Sequence, residues 1–176
     1  MSILRFFTMM LLAAATPQAF GQGGDAVEFT SEDKSLSLKH PPDWTPSAPD
    51  RPGMIANLIS PGDSEEDLFA ERLNVIVVEK QEEADLDELV DRVKDSFRVR
   101  LEGYKPTSDT RTTVAGVPAR KIVAHTPAQG TTAVSTQWFF IAGPRVYIVS
   151  STWLVETEEK YRPLVEAMVN SLTLKN

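Results

Sequence analysis

Cysteine is absent from the 176 residues, and that absence removes several kinds of chemistry together. Disulfides, thiolate metal sites, thiol nucleophiles and haem attachment through cysteine all need the sulfur. A lipid anchor on an N-terminal cysteine needs it too. Histidine is scarce, with only His40 and His125 present. They lie far apart and form no His-x-x-x-His pair, so a histidine-based metal site has no support, and both read as surface or turn residues. Positive charge is in the minority: 18 Lys and Arg stand against 25 Asp and Glu, for a net charge of −7. A phosphate-backbone binder needs a concentrated basic face, so nucleic acid is not an expected partner. Adsorption to anionic lipid is equally disfavoured, and the acidic surface reads as a solvated one that aids solubility.

Long apolar runs are missing after the first residues. At the start, Arg5 precedes a mostly apolar stretch at 6–15, and Ala19-Phe20-Gly21 follows with small residues at two positions. The stretch is about half the roughly 20 residues that a membrane span needs. It matches the apolar region of a secretory leader with cleavage before Gln22. The expectation is a signal peptide at 1–21, a short disordered lead at 22–26 and one globular domain over 27–176, exported to the periplasm or outside the cell and without a membrane anchor after processing. A chain of this size buries roughly 70% of its unfolded surface as one domain.

Sites with sequence signatures are also missing. Neither Gly-x-x-x-x-Gly-Lys nor Gly-x-Gly-x-x-Gly occurs, so no phosphate-gripping loop is expected. There is no Gly-x-Ser-x-Gly elbow for a serine hydrolase. Ser31 and Lys34 match Ser-x-x-Lys only formally: they lie in a polar turn, and no Lys-Thr-Gly accompanies them. The acidic stretch Asp63, Glu65, Glu66 and Asp67 lacks the ligand alternation and central glycine of an EF-hand loop and reads as a solvated loop. The many carboxylates single out no glycosidase pair. No catalytic residue, metal or cofactor is therefore assigned.

What is present is alternating strands and two amphipathic helices. Strands are expected over 27–30, 36–40, 55–60, 73–79, 107–114, 117–126, 131–141 and 145–154, separated by short turns that favour antiparallel neighbours. The tract at 41–53 contains Pro41, Pro42, Pro46, Pro49 and Pro52, which halts the second strand because proline lacks the ladder donor. Over 85–101, Leu86, Leu89, Val90, Val93, Phe97 and Leu101 recur at helical spacing. Acidic residues at its start and arginines at its end complement the helix dipole. A closing helix over 158–171 buries Tyr161, Leu164, Val165, Met168, Val169 and Leu172, with Pro163 near its start, where proline costs least. The 73–79 and 145–154 strands are apolar on both faces, so helices are expected on both sides of an antiparallel sheet. Trp138, Phe139, Phe140, Tyr147 and Trp153 read as core at strand spacing. Trp44, beside the proline-rich connection, either plugs the sheet or lines a cleft. It is the one residue put forward for an interaction or a cleft.

The order of several short pieces resembles the PsbP-like superfamily, which includes the DcrB-type bacterial envelope proteins. These pieces are Phe29, Leu36-Ser37-Leu38 and His40-Pro41-Pro42-Asp43-Trp44, then Leu58-Ile59-Ser60-Pro61 and Leu73-Asn74-Val75-Ile76-Val77. They continue with Val114-Ala115-Gly116-Val117-Pro118-Ala119, Gln137-Trp138-Phe139, Tyr147-Ile148-Val149-Ser150 and a last helix ending Asn170-Ser171-Leu172. The resemblance implies an α+β fold: an α/β/α sandwich around an antiparallel sheet of about six to eight strands. It also implies a non-catalytic role in binding or assembling larger protein complexes, here with an envelope protein partner. Two other readings compete: a small-ligand or lipid-binding module with a cleft near Trp44, and a hydrolase with a nonstandard site. Fold alone does not decide among them.

Overall fold

The structure is a computed structural model that describes residues 25–62, 69–80, 85–128 and 130–175. The expected leader, most of the lead that follows it and the acidic stretch at 63–67 lie outside the described residues.

Among the described residues, ten strands and two α-helices follow one another as β1 (Val27–Thr30), β2 (Leu36–His40), β3 (Thr45–Pro46), β4 (Met54–Ile59), β5 (Arg72–Glu79), α1 (Leu86–Arg100), β6 (Lys105–Val114), β7 (Val117–Ala128), β8 (Thr131–Ala142), β9 (Arg145–Leu154), α2 (Glu158–Asn170) and β10 (Thr173–Leu174). A 3-10 turn, Val155–Thr157, leads into α2. Seven strands form the central sheet in the order β3-β4-β5-β9-β8-β7-β6, and every pairing is antiparallel. The α+β architecture with both sheet faces covered is the one anticipated. The first hairpin, however, does not join the central sheet: β1 and β2 pair with each other, and β10 adds to β2 to make a separate three-stranded sheet. The two-residue strands β3 and β10 were too short to announce themselves by alternation.

Turn chemistry fixes the meander. Ala115 and Gly116 connect β6 to β7 with φ of 51° and 76°, the paired positive values of a turn whose twist matches that of its strands. Asp85 caps α1, its carboxylate accepting from the backbone N–H of Asp87 at 2.8 Å and Glu88 at 3.0 Å, which satisfies two donors the helix start leaves open.

The cores lie on opposite faces. On one face Val75, Val149, Trp138 and Phe140 meet Tyr161, Val165, Met168 and Val169 of α2, together with Leu36 and Leu38 of the small sheet. Phe140 stacks on Tyr147 with centroids 5.0 Å apart. On the other face the buried cluster is small: Val90 of α1 sits on Ile122 and Phe139, with Leu86, Leu89, Val93 and Ile148 around it.

Candidate functional site

Two hollows stand out, one at each end of the sheet's structural contrast. The first follows from the prolines. Each proline between 41 and 52 lacks a backbone donor, so the chain cannot continue a ladder there. It makes only the two pairings of β3 with β4, Thr45 to Ile59 and Pro46 to Leu58. One further bond runs from Ser47 N–H to the Asn57 carbonyl at 2.8 Å. The Asn57 carboxamide holds the Ala48 carbonyl at 3.3 Å. Residues 45–53 are exposed throughout. Gly53 closes the segment at φ 77°, its carbonyl accepting from Val77 N–H at 2.8 Å. A side chain there would put a Cβ 2.5 Å from the Val77 carbonyl oxygen. Between this segment and the first hairpin lies a hollow of about 440 Å³ with Phe29, Pro46, Pro49, Met54 and Ile55 on its walls and Glu32 and Asp33 at its mouth. Asp33 is held below the ordinary carboxylate range, chiefly by hydrogen bonds from Ser31 and Ser35.

The second hollow, about 630 Å³, lies on the α1 face. Its floor is β5, β9 and β8, where the register lines up Asn74, Ser150 and Gln137 in one row and Arg72, Thr152 and Ser135 in the next. The C-terminal half of α1 overhangs it with Val93 and Phe97, and Tyr104 stands beside Phe97 edge-on at 5.5 Å between centroids. The Tyr104 hydroxyl is buried without a hydrogen-bond partner, and burial raises its pKa above the ordinary phenol value.

α1 is fastened away from that hollow. Asp87 accepts from Arg111 and Arg120, each at 2.6 Å, and Asp109 accepts from Arg120 and from Lys94, again at 2.6 Å. Hydrogen bonds from Arg111 and then Arg120 hold the Asp87 carboxyl below its usual range. Burial pushes the Asp109 carboxyl up, but Arg120 and Lys94 outweigh it and the net displacement is downward. Lys94 and Arg120 are both displaced upward, each first by its hydrogen bond with Asp109.

The residues singled out from sequence are not gathered in either hollow. Trp44 is 3% exposed, packs in the main core with its ring 6.3 Å from that of Tyr161, and lines neither hollow. His40, expected at the surface or in a turn, is instead 3% exposed at the end of β2, donating from Nδ1 to the Pro41 carbonyl at 2.7 Å. Strand alternation turns it inward beside the core, a consequence its proline neighbours disguise. His125 is half-buried on β7, opposite Lys105 and Val134. Ser31 and Lys34 form a turn, with Lys34 N–H donating to the Ser31 carbonyl at 2.9 Å. Among the described residues no group of three or more His, Asp and Glu is placed to hold a metal ion. No helix among them is long and apolar enough to cross a membrane.

The polar floor of the second hollow was overlooked from sequence. Its signal is there in alternation: between Ile76 and Arg72, and between Ile148 and Leu154, the positions facing α1 are Asn74, Ser150 and Thr152. The apolar residues on either side of those positions mask the change.

The family model for DcrB matches residues 35–171. No curated protein sequence is detectably similar to the chain. Among solved structures, LpqN of Mycobacterium tuberculosis, described as involved in cell envelope biogenesis, is 12% identical with a TM-score of 0.66, covering 86% of this chain and 91% of its own. The cyanobacterial PsbP of Synechocystis sp. PCC 6803 is 10% identical with a TM-score of 0.62, covering 88% and 96%. The Ran-binding protein Mog1p of Saccharomyces cerevisiae is 13% identical with a TM-score of 0.60, covering 85% and 95%. At these identities the likeness is one of fold.

Proposed function

The chain belongs to the DcrB family, and from that premise we propose that it is an exported, non-catalytic accessory factor of the cell envelope that engages a protein partner through its proline-rich edge. The observation that carries this reading is the exposed segment 45–53 standing at the edge of the central sheet over an apolar hollow. Prolines restrict φ before binding, so less backbone freedom is lost when a partner docks. The apolar wall formed by Phe29, Pro49, Met54 and Ile55 gives a partner side chain surface to desolvate. The apolar stretch at 6–15, which matches the apolar region of a secretory leader, supports export. The envelope role described for LpqN supports an envelope setting, and the binding of Ran named for Mog1p supports the use of this fold for protein interaction.

The test is a cross-linking pull-down from the native envelope fraction with the processed chain as bait and mass spectrometry as readout. Replacing residues 47–52 by a Gly-Ser linker keeps β3 and Gly53 in place and removes the prolines between them. One reproducible partner, lost with that replacement, is the expected result. A partner captured equally well by the altered chain sinks the assignment of the edge, and no partner above background sinks the accessory role.

A further inference from the structure

The hollow on the α1 face has a chemistry of its own. Three rows cross β5, β9 and β8 on this face. Ile76, Ile148 and Phe139 form the first, Asn74, Ser150 and Gln137 the second, and Arg72, Thr152 and Ser135 the third. Polarity therefore rises in steps along the strands, from hydrocarbon to amide and hydroxyl to guanidinium. Rows two residues apart on a strand lie about 7 Å apart, so the gradient runs over about 13 Å. Val93 and Phe97 of α1 wall the apolar end.

Among the described residues the charges are one-sided. The lining carries Arg51 and Arg72 and no carboxylate among the described residues, in a chain whose net charge is −7. Arg51 is engaged by Asp50 at 2.9 Å. Arg72 makes no side-chain hydrogen bond or ion pair among the described residues; the nearby Asp50 carboxyl is lowered first by its hydrogen bond with Arg51, and the Arg72 charge acts in the same direction. The Asn74 carboxamide also has no protein partner there, while the Gln137 amide donates to Ser150 Oγ at 3.3 Å and keeps its carbonyl open. The Tyr104 hydroxyl is buried and unpartnered on the same wall. Elsewhere, Ser31, Ser60 and Glu71 are hydrogen-bonded within the protein, and among the described residues only the Trp153 indole nitrogen in the main core is likewise buried without a partner. Open donors and acceptors gathered in one concave site are what a small ligand needs for orientation, and the volume falls in the range of ligand sites, about 300–1,000 Å³.

We propose that this hollow binds a small amphiphilic carboxylate with an amide in its middle, an N-acyl amino acid or a compound of that build. The apolar end lies on Ile76 and Ile148 beneath Phe97, beside the contact that Phe139 makes with Val90. The amide exchanges hydrogen bonds with Asn74 and Gln137. The carboxylate is received by Arg72, with the Thr152 hydroxyl beside it. A plain fatty acid fits less well, because its chain would strip water from the Asn74 and Gln137 amides and return no hydrogen bond.

The test is calorimetric titration of the full chain with N-octanoylglycine, which has an acyl tail, an amide and a carboxylate in the required order. One saturable site is expected. Arg72→Ala should weaken it about tenfold or more, the usual size of a lost charge-assisted hydrogen bond, and Asn74→Ala about threefold to tenfold. N-octanoylglycinamide, which lacks the charge, should bind the unaltered chain about as weakly as the acid binds Arg72→Ala. That comparison tests the guanidinium contact without any substitution, so it stands even if a variant folds poorly. Absence of saturable binding overturns the proposal, as does equal binding of the acid and its carboxamide by the unaltered chain. Octanoate binding as tightly as N-octanoylglycine overturns the role given to the amide row.

Discussion

The strands β5, β9 and β8 present one residue set to α2 and another to α1, and the two sides have been finished in opposite ways. Toward α2 come Val75, Val149, Trp138 and Phe140, sealed by a helix and by the small three-stranded sheet. Toward α1 come Asn74, Ser150 and Gln137 beside Ile76, Ile148 and Phe139, and α1 roofs only part of them. The side covered twice carries the stability of the domain. The side covered once retains a concave surface with open hydrogen-bonding groups. Since alternation makes neighbouring residues face opposite ways, one stretch of chain supplies both, and a substitution at position n leaves the chemistry at n+1 nearly untouched.

The largest expected effect breaks the sealed side. Phe140→Ala removes a fully buried ring that stacks on Tyr147, and urea denaturation should report a loss of about 3–5 kcal/mol. Val90→Ala on the roofed side deletes the one wholly buried side chain of α1 and should cost about 1.5–3 kcal/mol. Hydrogen exchange should then show the amides of α1 opening before those of α2. If both variants lose the same stability and exchange uniformly, the contrast between the faces is wrong.

At the proline-rich edge, Gly53→Ala places a methyl group against the Val77 carbonyl oxygen at a positive φ and should lower stability by about 1–3 kcal/mol. Its thermal melting curve is the check. A Gly53→Ala variant as stable as the parent would mean that the segment is free to move away from β5. The smallest effect belongs to the ion pairs that fasten α1. Asp87 and Asp109 have pKa values below the unfolded value. Their stabilisation is therefore present above the unfolded carboxylate pKa, about 3.9, and is lost as pH falls through the depressed folded values. Asp109→Asn should flatten the fall in melting temperature below about pH 4 and cost about 1 kcal/mol at neutral pH, since Asp109 itself stays partly open to solvent although Arg120 and Lys94 beside it are largely covered. An unaltered acid limb in the variant would assign the pH dependence to other carboxylates.

Legibility from sequence followed the length of the pattern. The 85–101 stripe and the observed α1 agree within a residue because six apolar positions and an acidic cap all report one period. β9 has the limits its sequence pattern predicts, for the same reason. β3 and β10, with two residues each, offer no period at all. The polar floor was hidden for a different reason. Ser150 and Thr152 sit between Ile148 and Leu154 on the α1 face of a strand that is mostly apolar, and two hydroxyls there read as tolerated exceptions. Only the register sets Ser150 beside Asn74 and Gln137, from strands far apart in the chain.

The amino-acid sequence by itself determined the periods, and with them the helices, the long strands and the antiparallel meander, because these depend on neighbours within a few residues. Its proline content determined that the ladder breaks after β2, since a missing N–H is a local fact. Tertiary structure alone decided that the first hairpin pairs with the last two-residue strand and stays out of the central sheet. It also decided that Trp44 meets Tyr161 in the core, and that Arg72 and Asn74 face the same hollow as Tyr104. Those contacts join residues distant along the chain, and which of them form depends on how the sheet, the helices and the hairpin fill space together.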